Sequence, residues 1–309
     1  MQVSPDVAPM VSILRRLSTV VIPALLTAAC AINPPQCEAG RWVAPDTMRP
    51  VQNPLAAAPS HSIILLGEEH DRAADHRWEL ETIERLYVAN PSLVLGLEMF
   101  PRVTQPALNR WVAGGVSEPD FLTQSDWKQV WNFDPALYLP IFRFARDHHI
   151  PMLALNVSAK TIHLVATHGF AGVPPASREG VGVPAQPAPG YRAELAEVMG
   201  GHNGMATTPE GLNHFIDAQL TWDRAMAEAI ATQRAKSPAR PVVAIMGKGH
   251  LENRDGVPHQ LAALGLPNAL VLLPTHDSQP SFSAGYADAV YIEPSQNPQV
   301  CNNPASPPS

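Results

Sequence analysis

The chain has 309 residues, enough to bury one large core or two small ones. It is 45% hydrophobic and 6% aromatic with a formal charge of −7, a globular composition that excludes an electrostatic nucleic-acid binder, which needs a basic surface. Its 33 prolines gather in the N-terminal approach, between Val173 and Gly190, and from Pro294 onward.

The first element in chain order is a leader. Arg15 and Arg16 precede an apolar run, Leu17 to Ala29, that is too short to span a bilayer, and Met10 is a second candidate start. Small residues stand directly before Cys30, which resembles a bacterial lipoprotein signal: residues 1–29 are removed and Cys30 is lipidated. Thr27 occupies a place where such signals more often carry Leu, and ordinary secretion is the alternative. The expected location is the bacterial cell envelope, with a lipid anchor on the periplasmic face or in the outer membrane. Cys37 and Cys301 remain, and in an oxidising compartment they form either a disulfide or two free thiols. Residues 30–60 read as a linker.

Residues 61–276 carry the pattern of an α/β domain. Ser62–Leu66, Leu93–Leu97, Ile150–Leu155 and Pro241–Met246 are short apolar runs that predict buried strands, with further strands at Ala269–Leu273 and Ala289–Ile292. Between them, Asp71–Ala89 and Phe215–Arg234 have helical periodicity. The first is expected to bury Leu80, Ile83 and Tyr87 and to turn Glu79, Glu81 and Glu84 away. Strand and helix in alternation predict a mainly parallel sheet flanked by helices. A helical insert is expected at about 102–148, and a long mobile Gly/Pro-rich loop at about 170–210 with one short helix near Tyr191–Met199. A Pro-rich tail occupies 277–309.

In open parallel sheets ligands bind beyond the carboxyl ends of the strands. Here those ends are followed by Gly67-Glu68-Glu69-His70, by Glu98, by Asn156 with Lys160 a turn later, and by Gly247-Lys248-Gly249-His250. Glu68 and His70 are two apart and share a side in extended chain, as an acid/base pair or as metal ligands. Glu69 and Asp71 suit a helix start, where acids are favoured. Glu98 lies among apolar residues and needs a partner, either in a working site or in a structural ion pair. His250 follows two glycines that permit close backbone approach, or is a satisfied loop histidine. Lys160 neutralises an anion or is simply solvated. Gln219 and Asp223, one helical turn apart beside Trp222, either orient site groups or make a helix–helix hydrogen bond.

GEEHD, LGLEMF, ALN, QLTWDRAM and GKGH followed by Gly256-Val257-Pro258 together resemble the ChaN-type lipoproteins, a haem-binding group associated with iron uptake. The wider superfamily includes erythromycin esterases and TIKI-type metalloproteases. The resemblance spans Leu65 to Pro274, including the Trp127, Trp131 and Tyr138 stretch. It implies a sheet domain plus a small helical one, and two chemistries. The first is a membrane-anchored protein that takes up or handles haem or iron. Haem needs an axial donor, apolar walls and a cation for its propionates. The candidates are Tyr138, Tyr191, His163, His168 and His202, with Lys160 as cation, and a homodimer is open on this reading. The second is an exported metal-dependent hydrolase, esterase- or peptidase-like. It would use Glu68, His70, Glu98 and His250 with a divalent metal, supported by Asn156, Gln219 and Asp223. Whether the chain is an enzyme stays open at this point.

Overall fold

The computed structural model describes residues 40–201, 208–277 and 280–294. Cys30, Cys37, Cys301, His202, the leader and the tail beyond residue 294 lie outside the described residues. Among the described residues, the strands are β1 Arg41–Val43, β2 Ile63–Glu68, β3 Val94–Pro101, β4 Met152–Asn156, β5 Val242–Gly247, β6 Ala269–Thr275 and β7 Ala289–Ile292. They form one sheet in the order β1-β7-β6-β2-β5-β3-β4. β1 is antiparallel to β7 and every other neighbouring pair is parallel, as the alternating pattern predicts.

Both faces of this sheet are covered, which is why its strands read as continuous apolar runs. Ile64 and Leu66 of β2, with Val243 and Ile245 of β5, enter one core. That core is closed by α1 (Ala73–Ala89) and the inserted helices α2 (Gln105–Val112), α3 (Glu118–Gln124), α4 (Trp127–Val130) and α5 (Pro135–Asp147). Ile63 and Leu65, with Val242, Ala244 and Met246, enter the other. There they meet Met226, Ala227 and Ile230 of α8 (Pro209–Lys236) and Val257 and Leu261 of α9 (Val257–Ala263). The sheet order places β5 between β2 and β3, so three strands distant in sequence end side by side. No helix among the described residues is long and apolar enough to cross a membrane.

Three expectations are corrected. β2 and β3 run on through their acids, so Glu68 and Glu98 lie inside strands rather than after them. Ladder hydrogen bonds tolerate a polar side chain when that side chain has partners. Helix α1 is rotated from its expected phase: Asp75, His76, Trp78, Glu79, Thr82, Ile83 and Leu86 are buried, while Leu80 and Tyr87 are half-buried. Finally, the segment between α6 (Ala159–Gly172) and α7 (Pro189–Gly201) is not loose. Val173 and Val181 are buried against α6 and α8, Gly182 N–H donates to Glu228 at 3.0 Å, and Gln260 bonds both the N–H and the carbonyl of Ala185.

β4 is an outer strand, and its free edge is occupied. The Gln105 amide accepts from Ala154 N–H and donates to the Met152 carbonyl, both at 2.8 Å, standing where a neighbouring strand would stand.

Candidate functional site

Two carboxylate–imidazole groups meet at the carboxyl ends of β2, β3 and β5, one arriving from each face of the sheet. Glu68 continues the row of Ile64 and Leu66 toward the helical insert. It is 1% exposed, and its Oε1 lies 2.6 Å from His70 Nδ1. Tyr138 of α5 reaches the same point, with its hydroxyl 3.3 Å from Glu68 Oε1 and 3.2 Å from the His70 carbonyl. The His70 ring stands edge-on to Trp131 at 4.6 Å and beside Phe133 at 5.2 Å, with its side chain 31% exposed. Its Nδ1 is committed to Glu68, whereas its Nε2 makes no hydrogen bond among the described residues. Burial opposes charge on this imidazole, but the Glu68 hydrogen bond and the charges of Glu98 and Glu68 together raise its pKa.

Glu98 shares the row of Val94 and faces α8. Its Oε2 accepts the Gly247 N–H at 2.6 Å, and its Oε1 lies 3.3 Å from His250 Nε2. His250 Nδ1 lies 2.7 Å from Asp223 Oδ1, and the Tyr191 hydroxyl donates to Asp223 Oδ2 at 2.9 Å. His250 is thus clamped between two carboxylates. Burial disfavours its charged form, yet Glu98 and Asp223 hold its pKa well above the usual value. Burial pushes Glu98 up in turn, and the His250 charge and hydrogen bond bring it below the ordinary carboxylate range.

The glycines decide how closely these groups approach. A Cβ on Gly247 would come within 2.8 Å of His70 Cε1, and one on Gly256 within 2.4 Å of the His250 carbonyl and 2.9 Å of Asp223 Oδ1. Gly249 has open space where a Cβ would go, so of the two glycines before His250 only Gly247 is needed for close packing.

The other sequence candidates fall as follows. Glu69 is not the helix-start acid: its carboxylate pairs with Lys248 Nζ at the site rim, with His276 3.9 Å away. Asp75 takes the helix-start position, accepting the Glu69 N–H at 2.8 Å, and burial raises its pKa to about 7. Tyr138 and Tyr191 are buried with their hydroxyls engaged. Lys160, His163 and His168 are exposed on α6, and Asn156 turns its Oδ1 back onto Val157 N–H. Gln219 is half-buried on α8, one turn before Asp223. Among the described residues no group of three or more His, Cys, Asp or Glu side chains is arranged to hold a metal ion.

Sequence reasoning missed His76 and Glu79, which lie buried beneath His70. His76 Nδ1 is 2.9 Å from Glu79 Oε2, and His76 Nε2 is 3.2 Å from the His70 carbonyl. Their spacing of three on one helix was the available signal.

A family model described as haem-binding uptake, Tiki superfamily, ChaN matches residues 55–261. The solved structure of ChaN of Campylobacter jejuni, which shows cofacial haem binding in that protein, aligns with a TM-score of 0.63 at 15% identity, over 82% of this chain and 97% of that one. At that identity the likeness establishes the fold. A type III effector aligns with a TM-score of 0.47 at 14% identity, over 86% of this chain and 100% of that one. An erythromycin esterase in its open conformation aligns with a TM-score of 0.46 at 11% identity, over 82% and 83%. Neither carries further argument. No curated protein matches the sequence.

Proposed function

Because the chain belongs to the ChaN haem-binding uptake family of the Tiki superfamily, we propose that it binds haem at His70, whose side chain is partly exposed. The observation that carries this reading is an imidazole with one nitrogen tied to a carboxylate, the other without a hydrogen bond among the described residues, and aromatic rings beside it. A carboxylate on Nδ1 fixes the tautomer and raises the basicity of Nε2, as it does for histidines that ligate metals. The residues present therefore fit haem: His70 Nε2 would be the donor to iron, and Trp131 and Phe133 would supply apolar surface beside it. On this reading the ligand is His70, because the tyrosine hydroxyls are engaged and the histidines of α6 are exposed. When bound, haem supplies an iron centre that undergoes redox change and ligand exchange.

The leader and Cys30 support a lipid-anchored protein of the cell envelope that passes on or takes up haem. The test is to add haemin to the purified mature chain and record the visible spectrum. A Soret shift in the wild type that disappears in His70→Asn is the expected result. No shift in the wild type sinks the proposal, and an unchanged shift in His70→Asn moves the axial donor elsewhere.

One observation favours a second reading, hydrolysis. The Glu98–His250–Asp223 set beside Glu68 and His70 is more ionisable machinery than holding a porphyrin requires. A screen of ester substrates with the wild type and His250→Asn tests it, and a silent wild type counts against it.

A further inference from the structure

The amino ends of β2, β3 and β5 lie at the opposite pole of the sheet from His70, and a cleft of about 290 Å³ opens there. Neither the haem reading nor the hydrolytic one uses it. We propose that this cleft binds a small amphipathic carboxylate, a fatty acid of about ten carbons, with its head on Arg234 and its chain over Ile64, Leu86, Leu93 and Val243.

The apolar part follows from the packing. Ile64, Leu86, Leu93 and Val243 are buried members of the insert-side core and make the floor of the cleft. Ala89, where α1 ends, is exposed on the rim, so the floor beyond it is not roofed by that helix. A water takes about 30 Å³, so the volume suits about ten non-hydrogen atoms and is far too small for haem.

The polar part follows from unmatched charge. Among the described residues no Asp or Glu lines the cleft, and Arg234 is its guanidinium. Arg234 donates to the Pro238 carbonyl at 2.6 Å and to the Arg240 carbonyl, but it pairs with no carboxylate among the described residues. Two of its five N–H donors are thereby used, and its buried Nε has no hydrogen-bond partner. Lys236 stands in the same last turn of α8, where cations suit the helix end, and it too lacks a carboxylate among the described residues. In a chain of net charge −7, this pole therefore gathers cations that the fold does not neutralise.

The strand amides at this end are not free to receive an anion instead. Val94 N–H donates to the Pro241 carbonyl at 2.9 Å, and Val242 N–H to the Ser62 carbonyl at 3.0 Å. Recognition of a negative head thus falls to the Arg234 side chain. An uncharged apolar molecule would leave that guanidinium without its counter-charge, and a purely polar anion would gain nothing from the floor. A molecule with a carboxylate at one end and a short chain at the other satisfies both.

The test is calorimetric titration of the purified chain with sodium decanoate below its micellar concentration. Binding of one decanoate per chain is expected, and decanol should bind at least about tenfold more weakly for want of a charge-assisted hydrogen bond. Arg234→Gln removes the charge and should weaken decanoate binding by about tenfold or more. Ala89→Trp fills the cleft from its exposed rim, leaves Arg234 in place, and should weaken binding at least as much. His70→Asn should leave the isotherm unchanged. No binding by the wild type overturns the proposal, as does equal binding of decanol or an unaltered isotherm in Ala89→Trp. If Arg234→Gln binds decanoate like the wild type, Arg234 is only a brace for the turn at Pro238 and the proposal fails. Loss of binding in His70→Asn would place decanoate at the haem site and overturn it as well.

Discussion

The two halves of the site hold the same side chain in opposite ways. On the insert side, His70 spends one nitrogen on Glu68 and has no hydrogen bond on the other among the described residues, with about a third of its side chain exposed. On the α8 side, His250 has a carboxylate at each nitrogen and is 14% exposed. A histidine at a strand end is thus either a presented ligand or an internal counter-ion, and the number of its carboxylate neighbours decides which. His250 neutralises charge that β3 and α8 bring into the core, whereas His70 has one carboxylate neighbour bonded to it and its Nε2 edge lies against Gly247.

The sharpest way to break this contrast is His250→Leu, which leaves Glu98 and Asp223 buried without their shared cation. Stripping one partner from buried ions is costly, so denaturant melts should show a loss of about 3–5 kcal/mol. A loss below about 1 kcal/mol would mean that His250 is not the counter-ion described. Next comes Gly256→Ala, whose methyl would press on the His250 carbonyl and Asp223. Overpacking there should cost about 1–3 kcal/mol, while Gly249→Ala, with nothing near its Cβ, should stay within about 0.5 kcal/mol.

Smaller again is His70→Asn, which keeps an N–H for Glu68 and removes only the free nitrogen. It should change stability by less than about 1 kcal/mol while reducing haem affinity at least about tenfold, a separation that His250 variants should not show.

The subtlest difference is in pH. Both imidazoles have raised pKa values, His250 well above 6.5 and His70 less so. A raised histidine contributes stability that is complete below its unfolded value, near 6.5, and is lost as pH climbs through its folded one. NMR titration of the haem-free protein should therefore show His70 losing its proton first. Iron must displace that proton, so haem affinity should rise with pH through the His70 transition. A reversed order of titration would dissolve the distinction between the two halves.

Much of this was legible in the residues. The apolar runs gave the strands, and the acids and histidines behind them gave the four groups that the sheet order brings together. The strand ends were read too short, because a buried Glu within a ladder has the same letter as an exposed one in a turn. The link from Tyr191 to Asp223 was hidden for a different reason. It spans 32 residues across two helices, and a tyrosine's hydroxyl partner has no local signature. The phase of α1 was misjudged because hydrophobicity alone selected Leu80 and Tyr87 as the inward side. The buried stripe in fact carries His76 and Glu79, and His76 bonds both Glu79 and the His70 carbonyl.

The amide of Gln105 has a consequence beyond its own two hydrogen bonds. An unpaired outer strand is a template on which another chain can extend the sheet, and such growth ends in aggregation. By standing as one rung at Ala154 and Met152, Gln105 makes β4 a poor seed. Crowding of this protein on a surface would then leave its sheet finite at that end, and copies that meet there would have to associate through side chains rather than backbone.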